Sequence, residues 1–126
     1  MSEELVGSDS APLVLQGSFV DADATHKGRG IATIYARLPG QYTLRLTDFE
    51  VINGPDLEAW LVADPGIESS HDVKNSEWLT LGQLKGNIGD QNYVIPIGTD
   101  INKYASAVIW CEQFEVLFAS AQLIKP

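Results

Sequence analysis

The sequence predicts an all-β domain, an antiparallel β-sandwich or barrel with at most one short helix. Three observations carry this expectation. Residues Ile31 to Leu38 alternate with the period of a strand, placing Ala32, Ile34, Ala36 and Leu38 on one face and Ile31, Thr33, Tyr35 and Arg37 on the other. A Pro39-Gly40 turn follows, and the alternation resumes from Gln41, with Tyr42, Leu44 and Leu46 sharing a face, so the two runs read as a hairpin. Further short runs rich in Val, Ile, Leu and aromatics then recur with Gly, Asn and Asp between them, the pattern of a sandwich or barrel of seven or more strands.

The later elements can be placed in order. Leu57 to Ala63 is bounded by Asn53-Gly54-Pro55 and by Asp64-Pro65-Gly66, both of them turn chemistry. Leu79 to Leu84, Tyr93 to Ile97, Ala107 to Cys111 and Glu115 to Phe118 supply further strands. Thr99-Asp100, followed by Ile101, Tyr104 and Ala105, combines a cap with helical spacing and allows one or two helical turns. The polar segment Pro65 to Ser76 reads as a mobile surface loop. The expected core comprises Phe19, Ile34, Leu44, Leu46, Leu61, Val108 and Phe118.

With 126 residues the chain has room for one domain, expected over 13–126 after a polar tail at 1–12. A chain of this size buries about two-thirds of its surface and folds without staples. Hydrophobic residues make up 44% and charged residues 20%, which excludes a disordered chain, a collagen-like repeat and a coiled coil. The net charge of −9 opposes nucleic acids and anionic membrane faces, because binding them relies on basic residues meeting phosphates. The opening MSEELV has neither a basic n-region nor an apolar h-region, and no run of about 18 apolar residues predicts a membrane span. Cys111 is the one cysteine, so no intramolecular disulfide forms.

Four groups of residues raise chemical questions. Asp21, Asp23 and His26 share a loop, but counting from Asp21 the sixth position is His26 and the twelfth Ala32, where a calcium loop needs Gly and Glu; no metal is expected there. His26 is read as a turn histidine in preference to a haem or metal ligand. Ser69, Ser70, His71 and Asp72 have the residue types of a hydrolase, yet neighbours in one loop cannot build a triad with an oxyanion hole. Gly82, Gly86 and Gly89 precede no helix that would hold a phosphate. Cys111 ends the apolar run Ala107-Val108-Ile109-Trp110; its plain reading is a buried small hydrophobe, with no Lys or Arg beside it to favour a thiolate.

Taken together, Gly17-Ser18-Phe19, His26-x-Gly28, Asp48-Phe49-x-Val51, Asn53-Gly54-Pro55-Asp56-Leu57, Leu81-Gly82-x-Leu84-Lys85-Gly86, Gly89-x-Gln91-x-Tyr93, Tyr104 and Ile109-Trp110-Cys111 with Phe114 and Phe118 form one pattern. It resembles the DM-thirteen domain family, extracellular modules found beside DOMON cytochrome-like domains in Skeletor-type proteins and alone in bacterial exported proteins. The resemblance runs from Gly17 to about Leu123. It implies a β-rich electron-transfer or redox domain with Cys111 as the redox-active thiol, supported by Trp110, Phe114, Asn53, Gly54, Pro55, Asp56 and His26. It also implies an extracytoplasmic location and a protein partner, such as a haem-binding redox domain; with two histidines and one methionine to serve as axial ligands, no haem or other cofactor is expected in the isolated domain. The chain has no second cysteine to resolve a disulfide, leaving Cys111 a mixed disulfide, a sulfenic acid or an intermolecular bridge.

On residues alone, Asn53-Gly54-Pro55 specifies one rigid turn, through an Asn that tolerates left-handed backbone, a confined Gly and a Pro of fixed φ, with Asp56 capping it or facing solvent. Trp110 and Phe114 either shield the thiol or fill the end of the fold. Two functions therefore stand: a redox accessory domain working through Cys111, and a non-catalytic binding or adhesion module that presents loops such as Pro65 to Ser76 and keeps Cys111 as core.

Overall fold

The computed structural model describes residues 13–126; the expected tail at 1–12 lies outside the described residues. The chain folds as an all-β domain in which eight antiparallel strands form a nearly closed, barrel-like sheet. They are β1 (Leu13–Asp21), β2 (Gly28–Leu38), β3 (Gln41–Val51), β4 (Leu57–Val62), β5 (Trp78–Gln83), β6 (Gln91–Val94), β7 (Ser106–Cys111) and β8 (Val116–Gln122). Their order around the sheet is β5-β4-β7-β8-β1-β2-β3-β6.

The hairpin expected at Pro39-Gly40 is β2–β3, with Leu38 opposite Gln41 and Ile34 opposite Leu44. Leu44 and Leu46 point inward as their alternation requires, but Phe49 and Val51 also point inward, one step out of phase. The register shifts where β3 passes through Asp48, which takes a φ of 52°. A bulge at this point re-aims the rest of the strand, and so Asp48-Phe49-x-Val51 keeps two large apolar side chains in the core.

β1 turns the corner of the barrel. Its residues from Leu13 to Ser18 pair with β2 and its last three, Phe19 to Asp21, with β8. At the crossing, a Cβ on Gly17 would lie 2.0 Å from the Gln122 carbonyl oxygen, so no larger residue fits between the two backbones. The opposite seam, between the ends of the sheet, is closed by side chains. Tyr93 Oη accepts from Lys85 N at 2.8 Å and donates to Gln91 Oε1 at 2.6 Å, while Gln91 Nε2 donates to the carbonyls of Gly86 and Gly89. Gln91 is fully buried on an otherwise apolar phase, and this set of bonds offsets its desolvation.

Two apolar layers result. All seven expected core residues are buried: Phe19, Ile34, Leu44, Leu46, Leu61 and Phe118 fill the interior, and Val108 belongs to a second cluster on the outer face of β4 and β7. There Trp60, Val62, Val108, Trp110 and Leu117 are covered by Ile67 and Val73. Those last two come from the segment expected to be a mobile loop. It instead contains a short helix, α1 (Ser70–Lys74), with Ser69 as its N-cap and Val73 fully buried. The segment is pinned by Ser106 Oγ donating to the Asp64 carbonyl, Ser120 Oγ donating to the Ile67 carbonyl and Leu117 N donating to Ser70 Oγ. Ile67 and Val73 are isolated among polar residues, so no period marked them. The turn expected after Thr99-Asp100 is a single 3-10 turn, Ile101–Lys103, with Asp100 accepting from Asn102 N.

Leu46→Ala is expected to cost about 2–5 kcal/mol, measured by denaturant unfolding, because Leu46 is fully buried where three strands meet and the cavity cannot collapse. Val73→Asp, on the outer layer, should lower the midpoint as well, whereas a mobile loop would tolerate it.

Candidate functional site

Cys111, the turn Asn53–Leu57 and His26 gather at one end of the barrel. After β3 the chain enters the turn Asn53–Leu57, in which Pro55 and Asp56 face solvent and Leu57 re-enters the core. Gly54 is held there by space: a Cβ on it would lie 2.6 Å from Phe118 Cζ and 2.7 Å from Phe118 Cε2. The left-handed residue of the turn is Asp56, with φ 53°, and not Asn53 as the residue types imply. Asp is among the few residues that accept this conformation. Its carbonyl accepts from Glu112 N at 3.0 Å, which ties the turn to the segment that follows β7.

Cys111 ends β7, opposite Leu57 on β4 and Val116 on β8. Its side chain is 0% exposed and belongs to the inner core. The Sγ donates to the Pro55 carbonyl oxygen at 3.0 Å. Since Pro55 is itself exposed, the thiol lies one residue beneath the surface, under the turn. The aromatic shell expected around it is not formed by its neighbours in sequence. Trp110 points to the outer cluster, as adjacent strand residues must, and Phe114 is 63% exposed on the following turn. Phe118 and Leu57 supply the apolar contacts of the turn instead.

Phe118 also meets His26, whose ring lies tilted at 56° with centroids 4.7 Å apart. Asp23 fixes the histidine: Nδ1 is 2.9 Å from both carboxylate oxygens, and an ionised carboxylate only accepts, so Nδ1 carries the hydrogen. Asp23 also accepts from the amides of Thr25 and His26, and Asp21 accepts from Gly28 N. The loop's carboxylates are thus spent on its own backbone, and among the described residues no three His, Cys, Asp or Glu side chains gather as a metal site. The hydrolase-like residues are likewise structural: Ser70 accepts from Leu117 N, Ser69 and Asp72 bond backbone amides, and His71 Nε2 meets Asn75 Nδ2 at 2.8 Å. Beside the turn is an open polar cleft of about 310 Å³ that includes Asn53, Asp56, Gln83 and Asn87.

Charge near the thiol is negative. Glu112 has its carboxyl pushed above the ordinary value, first by loss of hydration and then by the charges of Glu58, Asp56 and Glu115, against a hydrogen bond with Trp110. Asp23 is shifted the other way, well below the usual carboxylate range, chiefly by His26 and then by the Thr25 and His26 amides.

The chain matches the family described as electron transfer DM13 over residues 18–123. It belongs to the DM13 family. Most of the fold lies within the matched span, including every residue of the Cys111 end named above. No curated protein and no solved structure matches the chain. In this DM13 domain the motif Gly89-x-Gln91-x-Tyr93 marked Gln91 but not its burial in the seam, and nothing local marked Ile67 and Val73.

Two outcomes test the packing and the charges. Gly54→Ala should destabilise by about 1–3 kcal/mol through overpacking against Phe118, whereas Asp56→Gly should be tolerated, since Gly adopts φ 53° freely. The two shifted carboxyls give opposite pH slopes. A depressed group contributes stability above its unfolded pKa and loses it as pH falls, so Asp23→Asn should flatten the acid limb of the stability curve. A raised group loses stability as pH climbs through its folded pKa, so Glu112→Gln should raise the neutral-pH midpoint and have no effect in acid. Thermal melts across pH check both.

Proposed function

We propose that this DM13 domain is a redox accessory module that exchanges electrons with a protein partner through Cys111. The observation that carries the proposal is the 3.0 Å contact between the Cys111 Sγ and the carbonyl of solvent-exposed Pro55. One turn separates the thiol from water, and that turn is made of the motif residues Asn53 to Leu57. In this reading, displacement of that turn exposes the sulfur to a partner.

The chemistry then follows from one thiol with no resolving partner in the chain. The Cys111 thiol loses its proton and attacks one sulfur of a partner disulfide. A new S–S bond joins the two proteins, and the other partner sulfur leaves as a thiolate that takes up a proton. Cys111 is oxidised and the leaving sulfur reduced; the same partner thiol reverses the step. The acidic surroundings select a partner with a basic face. In this reading the domain works outside the cytoplasm, holds no cofactor itself and meets a partner such as a haem-binding redox domain.

A second reading is favoured by a specific observation, the complete burial of Cys111. In it the domain is a binding or adhesion module and the thiol is core, like most free cysteines.

Thiol labelling of the native protein separates the two, with Cys111→Ser as the blank. The redox reading expects a disulfide reagent to modify the folded protein faster than global unfolding permits. Pro55→Ala, which frees the turn, should then speed modification more than it lowers stability. Modification only at the rate of global unfolding, in both proteins, overturns the redox reading in favour of the binding module.

A further inference from the structure

The outer layer contains an arrangement that the thiol does not require. Trp78 on β5, Trp60 on β4 and Trp110 on β7 stack in a row across three adjacent strands. Trp78 and Trp60 have centroids 4.2 Å apart at 15°, and Trp60 and Trp110 are 5.2 Å apart at 29°. These are diagonal cross-strand neighbours: Trp60 stands opposite Thr80 on one side and Val108 on the other, two residues from each partner tryptophan. The row runs from outside to inside, with Trp78 47% exposed, Trp60 4% and Trp110 2%. The middle member meets a carboxylate: Trp60 Nε1 donates to Glu58 Oε1 at 2.8 Å.

We infer that the Trp78–Trp60–Trp110 stack is a one-electron path, with Trp78 as its solvent-facing port for a one-electron acceptor and Glu58 as the proton acceptor of the buried Trp60 indole. The inference rests on the electron-transfer reading of the domain but not on Cys111. Indole is among the most easily oxidised side-chain groups, and rings in van der Waals contact exchange electrons readily. Oxidised indole is a strong N–H acid, so a carboxylate at hydrogen-bond distance from Nε1 fixes the radical in its neutral form.

The steps balance as follows. An external acceptor takes one electron from Trp78 and is reduced by one. Trp60 returns an electron to Trp78 and passes its Nε1 proton to Glu58, becoming a neutral radical beside a carboxylic acid. The net change is one electron moved from Trp60 to the acceptor and one proton from Trp60 Nε1 to Glu58; Trp110, stacked on Trp60, extends the path by one ring. Away from Glu58, the inner rings lie in the outer apolar cluster with Ile67 and Val73, buried from water.

The test uses flash-generated tris(bipyridine)ruthenium(III) as the oxidant and the Cys111→Ser protein, so that the fate of the thiol and the fate of the stack are read separately. Transient absorption and spin resonance of ring-deuterated tryptophan report the radical. The expected result is a neutral tryptophan radical that persists, is lost in yield in Trp78→Phe, and is short-lived in Trp60→Phe, where oxidation stops at the exposed ring. Glu58→Gln, which keeps the ring and the fold, should slow appearance of the neutral radical in favour of the cation. A radical with the same yield and lifetime in Trp60→Phe as in its parent, or neutral-radical formation unchanged in Glu58→Gln, overturns the inference. Migration along the stack in a protein whose Cys111 is inert to labelling would sink the thiol reading alone.

Discussion

The end of the barrel that carries the motif residues depends on one contact, the Gly54 backbone against the Phe118 ring. There is no space for even a methyl group between them. That approach brings the Asn53–Leu57 turn down onto β7 and β8, so that the Pro55 carbonyl meets the Cys111 Sγ and the Asp56 carbonyl meets Glu112 N. The same ring meets His26, itself held by Asp23. A loop between β1 and β2, a turn between β3 and β4, and the ends of β7 and β8 are thus locked around one phenyl group. Interiors pack at the density of organic crystals, so such a junction either fits or forces several segments to move together.

A second constraint is the two-sided burial of β4 and β7. Leu57, Ala59 and Leu61 face the interior while Trp60 and Val62 face outward, and β7 divides its residues in the same way. An antiparallel sheet ordinarily shows one face to water, but these strands cannot, because both faces are apolar. The chain meets this with the segment from Asp64 to Ser76, whose short helix brings Val73 over the tryptophans. Aromatic pairs add about 0.5–1.5 kcal/mol each beyond burial, and two stacked pairs share Trp60.

The two layers divide the redox-capable groups of the domain. Cys111 lies in the inner layer beneath the turn, and the tryptophan row lies in the outer layer on the other side of the same strand. Adjacent residues Trp110 and Cys111 point to opposite faces, so β7 is the element both share. Thiol exchange needs direct contact with sulfur and hence a moving turn, whereas electron movement through stacked rings needs none. A rigid, doubly buried strand suits the second requirement, and a turn with a left-handed Asp56 at its tip suits the first.

The sequence by itself determined the all-β class, the β2–β3 hairpin, the strand runs other than β1 and the seven core residues, because these follow from period-two alternation and local turn chemistry. It also marked Cys111, the Asn53–Leu57 turn and His26, through residue types in a recognisable order. What it could not supply is whatever depends on strand order and register. That Gly54 is required by Phe118, sixty-four positions later, is a contact between strands that no local pattern encodes. That Trp110 turns away from Cys111 follows from alternation, but that it turns onto Trp60 and Trp78 follows only from β7 pairing with β4 and β4 with β5. Pro65 to Ser76 read as a loop because Ile67 and Val73 are too few to show a period; they are buried only because two strands beneath them have an outer face to cover. Local chemistry decides what each segment is, and long-range pairing decides which side chains meet.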